Sequence, residues 1–179
     1  MGDRCTVRIV ENGRDASEGP TMYLHWDGEF ARVYALCVYC RARGYRCGED
    51  SSYGLARLVA VAGNFVDPID GLSLGVMDGY EEDWDNGHYT VEDDWRITGW
   101  TQAWAFKRYA EEDGGESPWA KCAYRRPDGS EGMEYVPTDM GRVRQLLLRI
   151  DASMPEHARL GPKLNEAVES VAEEVLRWD

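Results

Sequence analysis

The sequence lacks a long apolar run, and its first residues lack an apolar core flanked by basic side chains. The first absence argues against a membrane-spanning helix, and the second argues against a secretion signal. The five cysteines are an odd number in a chain without an export signal, which is typical of reduced thiols. We therefore expect a cytoplasmic protein.

Catalytic signatures are missing as well. The chain has no glycine-rich phosphate loop, no HExxH segment and no GxSxG segment. The histidines, His25, His88 and His157, are too far apart in the sequence to indicate a set of metal ligands. We expect no catalytic residue, no metal and no cofactor, and the sequence favours a protein that is not an enzyme.

Charge of one sign dominates the chain. Asp and Glu number 33 against 20 Lys and Arg, which gives a net charge of −13. Such a charge repels nucleic acid and anionic membranes and attracts basic partners, among which are many nucleic-acid-binding proteins. With 179 residues, of which 43% are hydrophobic, the chain is long enough to bury a core as one domain.

Hydrophobic periodicity predicts strands and helices in a mixed order. Strands are expected at 5–11, 21–26, 72–77, 88–93 and 95–100, helices at 29–44, 51–65, 138–154 and 163–178, and a hairpin about residues 127–129. Residues 101–109 fit either a strand or a helix. This order predicts an α+β fold with a mostly antiparallel sheet and helices packed on one side. Residues 1–100 would form the core, and 101–179 would add the hairpin and two helices to the same domain.

One segment, "DGYEEDWDNGHYTVEDDW" (78–95, the acidic stretch), carries eight carboxylates, several aromatic rings and no Lys or Arg. It does not fit a calcium-binding EF-hand loop begun at Asp83, because His88 stands where that loop needs glycine. Two interpretations stay open. The stretch is either a solvated loop that keeps the protein soluble or a surface that binds a partner.

The aromatic rings in the acidic stretch favour a binding surface, because Trp and Tyr are common in interface cores. We expect Trp84 or Tyr80 to anchor a basic partner, with carboxylates facing its Lys and Arg side chains. The candidate partner-binding residues are Tyr80, Glu81, Glu82, Asp83, Trp84, Asp85, Glu92, Asp93 and Asp94. A second acidic segment, "EEDGGE" (111–116, the acidic turn), lies next to Trp119 and is the other place for such a surface.

The segment "YLHWDG" (23–28) offers a different kind of site. Strand alternation puts Tyr23 and His25 on one face, with Leu24 and Trp26 on the other. In one interpretation Tyr23, His25, Trp26 and Asp27 line a pocket, where the histidine is an acid or base. In the other, His25 makes a structural hydrogen bond and Asp27 begins a turn.

Cys37 and Cys40 invite a zinc interpretation, with Cys47 close behind them in the sequence. Structural zinc sites usually place cysteine pairs on tight turns, whereas this pair falls on the apolar face of a predicted helix. We therefore expect buried, metal-free thiols.

The motifs "MGDR", "YLHWDG", "YGLARL" (53–58), "GNF" (63–65) and "DNGHYTV" (85–91) resemble a family of uncharacterised small proteins of bacteria, archaea, phages and mobile elements. The resemblance covers roughly the first hundred residues. The chain departs from it at Asp27, where many members have Gly or Asn. The resemblance implies a mobile-element context and no particular reaction.

In that context a small acidic protein is similar to inhibitors of host defence, such as anti-CRISPR or antirestriction proteins. We expect a host-cytoplasmic interaction protein that binds a basic, nucleic-acid-binding host protein and neither nucleic acid nor membrane. The alternatives are a small-ligand or nucleotide-binding domain, enzymatic or not, with its pocket at "YLHWDG", and an accessory or scaffold protein of the mobile element. The sequence does not indicate an oligomeric state.

Overall fold

Strands and helices alternate along the chain much as the periodicity predicts. The computed structural model describes residues 3–11, 19–47, 51–66, 73–80, 83–92, 94–126 and 128–176, and side chains as far as 170. The strands are β1 (Cys5–Ile9), β2 (Pro20–Leu24), β3 (Leu74–Asp78), β4 (His88–Glu92), β5 (Arg96–Trp100), β6 (Trp119–Arg125) and β7 (Glu131–Pro137). The helices are α1 (Phe30–Ala42), α2 (Ser51–Phe65), α3 (Ala103–Glu112), α4 (Met140–Ser153) and α5 (Lys163–Leu176). The α+β fold class is confirmed.

The sheet is mixed, with one departure from the antiparallel rule. Its strand order in the described residues is β3-β2-β1-β4-β5, and β6 and β7 pair separately as the predicted hairpin. Neighbouring strands run antiparallel except β1 and β4, which run parallel. The connection between β3 and β4 explains this pair. Because β3 already runs in the direction of β1, the chain must return along the sheet before β4 begins, and β4 then starts beside Thr6 at the same end as β1.

One face of the sheet is apolar and lies under helices. Strand alternation directs Cys5 and Val7 of β1, with Met22 and Leu24 of β2, to this face, and all four are fully buried. Helix α2 contacts β1, β2 and β3, while α1 lies toward β5 and the hairpin. Helix α4 packs on α1 and α2, and α5 packs on α4 and α1. The predicted placement of helices on one side therefore holds for the core.

Of residues 101–109, for which the sequence left strand and helix open, 103–109 belong to α3 and 101–102 form the turn before it. The inner side of α3 carries Ala103 and Phe106, and the Phe106 ring stacks on Trp100 at 5.3 Å between ring centroids. The Trp119 indole donates to the Ala103 carbonyl oxygen at 2.8 Å, which ties α3 to the hairpin. None of the helices in the described part of the chain combines the length and the apolar composition that a bilayer span requires.

Candidate functional site

The second face of the sheet, opposite α1 and α2, carries buried polar side chains. Thr6 and Arg8 of β1 alternate with the apolar residues and so point to this face, where they are 0% and 1% exposed. Thr21 and His88 share this environment on the neighbouring strands β2 and β4. Polar groups at such depth need partners, because an unpaired buried polar group is costly.

Tyr80 and Trp84 of the return connection between β3 and β4 (residues 79–87, the crossing segment, described at 79–80 and 83–87) lie over this face. The Tyr80 ring stacks on the His88 ring with their centroids 4.2 Å apart, and the Arg8 guanidinium lies 5.2 Å from the centre of the Tyr80 ring. The Trp84 ring lies 4.5 Å from the Tyr23 ring. These rings shield the polar face from water, so both aromatics have a structural role in the fold.

Hydrogen bonds fix the end of the crossing segment to the start of β1. The backbone N–H and the Nε–H of Arg4 both donate to Asp85 Oδ2, at 3.1 and 3.0 Å. Asn86 donates from its side chain to Asp3 and from its backbone to the Arg4 carbonyl. The Trp100 indole donates to the Asn86 carbonyl at 2.8 Å. The hydrogen bonds from Arg4 hold the pKa of the Asp85 carboxyl below its usual range.

His88 is the most perturbed titratable group on this face. Its Nδ1 lies 2.9 Å from the Thr6 hydroxyl oxygen, and its Nε2 has no hydrogen-bond partner within the described residues. Burial disfavours the charged imidazolium, and the nearby Arg8 cation adds repulsion, so the pKa of His88 falls to about 4. The imidazole is therefore neutral near neutral pH, which suits its place between Thr6 and the Tyr80 ring.

The other described carboxylates of the acidic stretch are those of Asp78, Asp83, Glu92 and Asp94. The side chains of Asp78 and Asp83 are exposed. Glu92 is half-buried opposite Arg96 in the β4–β5 register, and Asp94 is exposed in a turn with a φ of 61°. Of the predicted partner-binding residues, Glu81, Glu82 and Asp93 lie outside the described residues.

The residues of "YLHWDG" divide between two environments. The Tyr23 hydroxyl lies 2.5 Å from His25 Nδ1, and the Trp26 ring lies edge-on to the His25 ring. Asp27 turns away and pairs with Arg32 of α1, at a φ of 71° that favours Gly, Asn or Asp over most other residues. The structure thus brings Tyr23, His25 and Trp26 together, while the Asp27 carboxylate lies against Arg32. Burial raises the pKa of the Tyr23 hydroxyl.

The outer face of α3 was not among the candidate sites predicted from the sequence. Trp104, Ala105, Arg108, Tyr109 and Glu112 line a groove of about 280 Å³ there, just before the acidic turn. These positions are one and four residues apart, so they fall on one side of a helix. A helical interpretation of residues 101–109 would have placed both aromatic rings on that side.

The cysteines are buried, as predicted. Cys37 and Cys40 lie in α1 within the apolar core, and burial raises the pKa of both thiols. Among the described residues, no three His, Cys, Asp or Glu side chains come close enough to hold a metal ion. The cysteine pair therefore contributes to packing.

Comparison with known proteins gives no match: no protein-family model, no curated protein and no solved structure matches this chain. The resemblance to mobile-element proteins stays an expectation. The function must therefore be argued from the side chains.

Proposed function

We propose that this chain is a non-enzymatic, acidic interaction protein that binds a basic, nucleic-acid-binding protein and blocks its nucleic-acid site. In the mobile-element context that the sequence suggests, the partner is a protein of a host defence system, and the encounter takes place in the host cytoplasm. The net charge of −13 attracts such a partner over a distance and repels nucleic acid itself.

The observation that carries the proposal is the set of contacts that anchor Tyr80, Trp84, Asp85 and Asn86 of the acidic stretch. A loop that served solubility alone would need no anchoring. Here the Arg4–Asp85 pair and the Asn86 hydrogen bonds fix one end of the crossing segment, and the Tyr80 and Trp84 rings pack beneath it. Carboxylates held on a fixed base lose less conformational entropy on binding than carboxylates on a flexible loop.

This geometry changes the role of the aromatic rings in the proposal. Tyr80 and Trp84 support the surface from below instead of entering the partner, and the exposed Asp78 and Asp83 carboxylates make the contact. Rim charges of this kind act mainly on the association rate and on its salt dependence. The partner's affinity should therefore fall as ionic strength rises.

Affinity capture from a host lysate, with and without competing duplex DNA, tests the proposal. We expect a basic protein whose capture is reduced by DNA, since both ligands would occupy one site. With that protein purified, Asp78→Lys combined with Asp83→Lys should lower the affinity by about tenfold and flatten its salt dependence. Glu131→Lys with Glu156→Lys makes the same change in net charge at exposed positions elsewhere and is the matched control.

Two results would count against the proposal. One is a captured protein that still binds in excess DNA, because such a protein uses a different site. The other is an equal effect of the two double variants, because overall charge and not the acidic stretch would then determine binding.

A further inference from the structure

Helix α3 has an inner side that belongs to the core and an outer side that does not. Ala103 is buried and Phe106 stacks on Trp100. Lys107 lies along the Trp119 ring, with its ammonium nitrogen 5.4 Å from the ring centre. These contacts fix the rotation of the helix about its axis. The residues on its opposite side must then face solvent.

That outer side presents two large aromatic rings to solvent. Trp104 and Tyr109 are each 68% exposed, more than any other Trp or Tyr side chain in the described residues. They line the groove of about 280 Å³ together with Arg108 and Glu112. Aromatic side chains offer much apolar area for burial, and a pair left in solvent on one helix face marks an interaction surface.

The charged side chains near the groove interact unfavourably with the dipole of helix α3. A helix has a partial negative charge at its carboxyl end, where basic residues are stabilising and acidic ones are not. The last turn of α3 has no basic residue but holds Glu111 and Glu112, and Asp113 follows as its cap. This arrangement weakens the helix and concentrates negative potential beside the groove, which favours a bound cation.

The exposed carboxylates of the acidic turn outnumber the cations of α3. Lys107 lies along the Trp119 ring, and Arg108 is paired with Glu112 at 2.6 Å from Nε to Oε1. Glu111, Asp113 and Glu116 are also exposed acids, and none of them forms an ion pair within the described part of the chain. A second copy of the chain also carries a charge of −13 and would be repelled, as would nucleic acid and anionic lipid. Charge complementarity therefore selects a cationic polypeptide.

The chain itself shows how an arginine fits this groove. The Arg108 guanidinium lies 5.5 Å from the centre of the Trp104 ring while it donates to Glu112. A planar guanidinium stacks on aromatic rings and bonds carboxylates at once, whereas a lysine ammonium is a compact, strongly hydrated charge. The same two contacts are open to an incoming arginine on the exposed Tyr109 ring and the acidic turn.

We propose that the outer face of α3, formed by Trp104, Tyr109 and the acidic turn, binds an arginine-rich segment of a partner protein. The proposal deepens the function proposed above, because it names a second contact and the residue type that it recognises. It uses residues of α3 and the acidic turn, so it can fail while the crossing segment still binds a basic protein.

Titration of the ¹⁵N-labelled chain with an arginine homopeptide tests the proposal directly. We expect the indole N–H signal of Trp104, assigned with Trp104→Phe, to shift on binding, and a lysine homopeptide of equal length to bind several-fold more weakly. Trp104→Ala combined with Tyr109→Ala should weaken binding of the arginine peptide by about tenfold or more. Trp26→Ala, at a ring that is 45% exposed on another part of the surface, is the matched control and should change nothing.

An unshifted Trp104 indole signal in the unmodified chain would overturn the proposal, and a variant serves only to assign that signal. Equal losses in the α3 variant and in Trp26→Ala would overturn it as well. The two proposals also fail separately. If a captured basic protein loses affinity through Asp78→Lys with Asp83→Lys but not through the α3 variant, only the α3 proposal is wrong. If the peptide binds at Trp104 and no nucleic-acid-binding protein is captured, only the proposed function is wrong.

Discussion

The crossing segment and the outer face of α3 both place aromatic rings next to carboxylates in the sequence. In the crossing segment, Tyr80 and Trp84 lie against polar side chains of the sheet, and the Asp83 and Asp85 carboxylates are exposed. In α3, Trp104 and Tyr109 face solvent beside the acidic turn. The same residue types thus stabilise the fold in one region and remain free for a partner in the other. The two regions differ in whether another part of the protein packs against each ring.

Matched aromatic truncations give the largest expected difference between the two regions. Tyr80→Ala and Trp84→Ala should each lower the free energy of unfolding by about 3 kcal/mol, since each removes a ring that covers buried polar groups. Tyr109→Ala and Trp104→Ala should stay within about 0.5 kcal/mol of the parent chain, because their rings are exposed. Urea unfolding measures all four. Equal losses in the two regions would mean that the crossing segment does not cover the sheet as described.

Titration of His88, which lies on β4 beneath Tyr80 of the crossing segment, should give the next largest effect. Its folded pKa of about 4 lies below the ordinary value of 6.5, so the unfolded chain binds a proton more readily. Stability is therefore complete above the unfolded pKa and is lost as pH falls toward the folded one. Between about pH 7 and about pH 5 the loss attributable to His88 should be on the order of 2 kcal/mol.

The variant His88→Phe keeps a ring under Tyr80 and removes the titration, so its stability should depend less steeply on pH over that range. His157→Phe is the control, because His157 is exposed in the short 3₁₀ helix Glu156–Ala158. Thermal unfolding scans at several pH values compare the three proteins. Parallel curves for the parent chain and His88→Phe would show that Tyr80 does not hold a buried, neutral imidazole.

Removing an ion pair should give the smallest difference in the free energy of unfolding between the two regions. Glu112→Gln removes the exposed pair with Arg108 in α3 and should change the free energy of unfolding by less than about 0.5 kcal/mol. Asp85→Asn should cost more, because Asp85 accepts from the Arg4 backbone as well as from its side chain. Since the pKa of Asp85 is lowered in the folded chain, this extra loss should disappear as pH falls through that pKa. A larger loss from Glu112→Gln than from Asp85→Asn would reverse the comparison.

Much of the fold could be predicted because its signals are local. Helix α2 spans the predicted residues 51–65, since an apolar stripe every three to four residues identifies it. The hairpin about residues 127–129 follows from turn residues between two alternating runs. The parallel pairing of β1 with β4 could not be predicted in this way. It depends on the path by which the crossing segment returns along the sheet, which is not a local property.

The candidate site shows the same limit. Strand alternation correctly placed Tyr23 and His25 on one face, but it could not show that Asp27 pairs with Arg32. The acidic stretch was recognisable as unusual from composition alone. Whether Tyr80 and Trp84 point outward or inward depends on the polar strand face that they cover, and that face includes Arg8 and Tyr23, which are far from both rings in the sequence.

The sequence by itself determined the charge of the protein, the order of its strands and helices apart from α3, and the burial of Cys37 and Cys40 in the apolar helix α1. Each of these depends on composition or on a period of two or three to four residues. Only the tertiary structure decided which aromatic rings are covered, because burial depends on what packs opposite each side chain. Tyr80 and Trp84 meet a sheet face that holds Arg8 and His88, whereas Trp104 and Tyr109 lie on the side of α3 that the core leaves free.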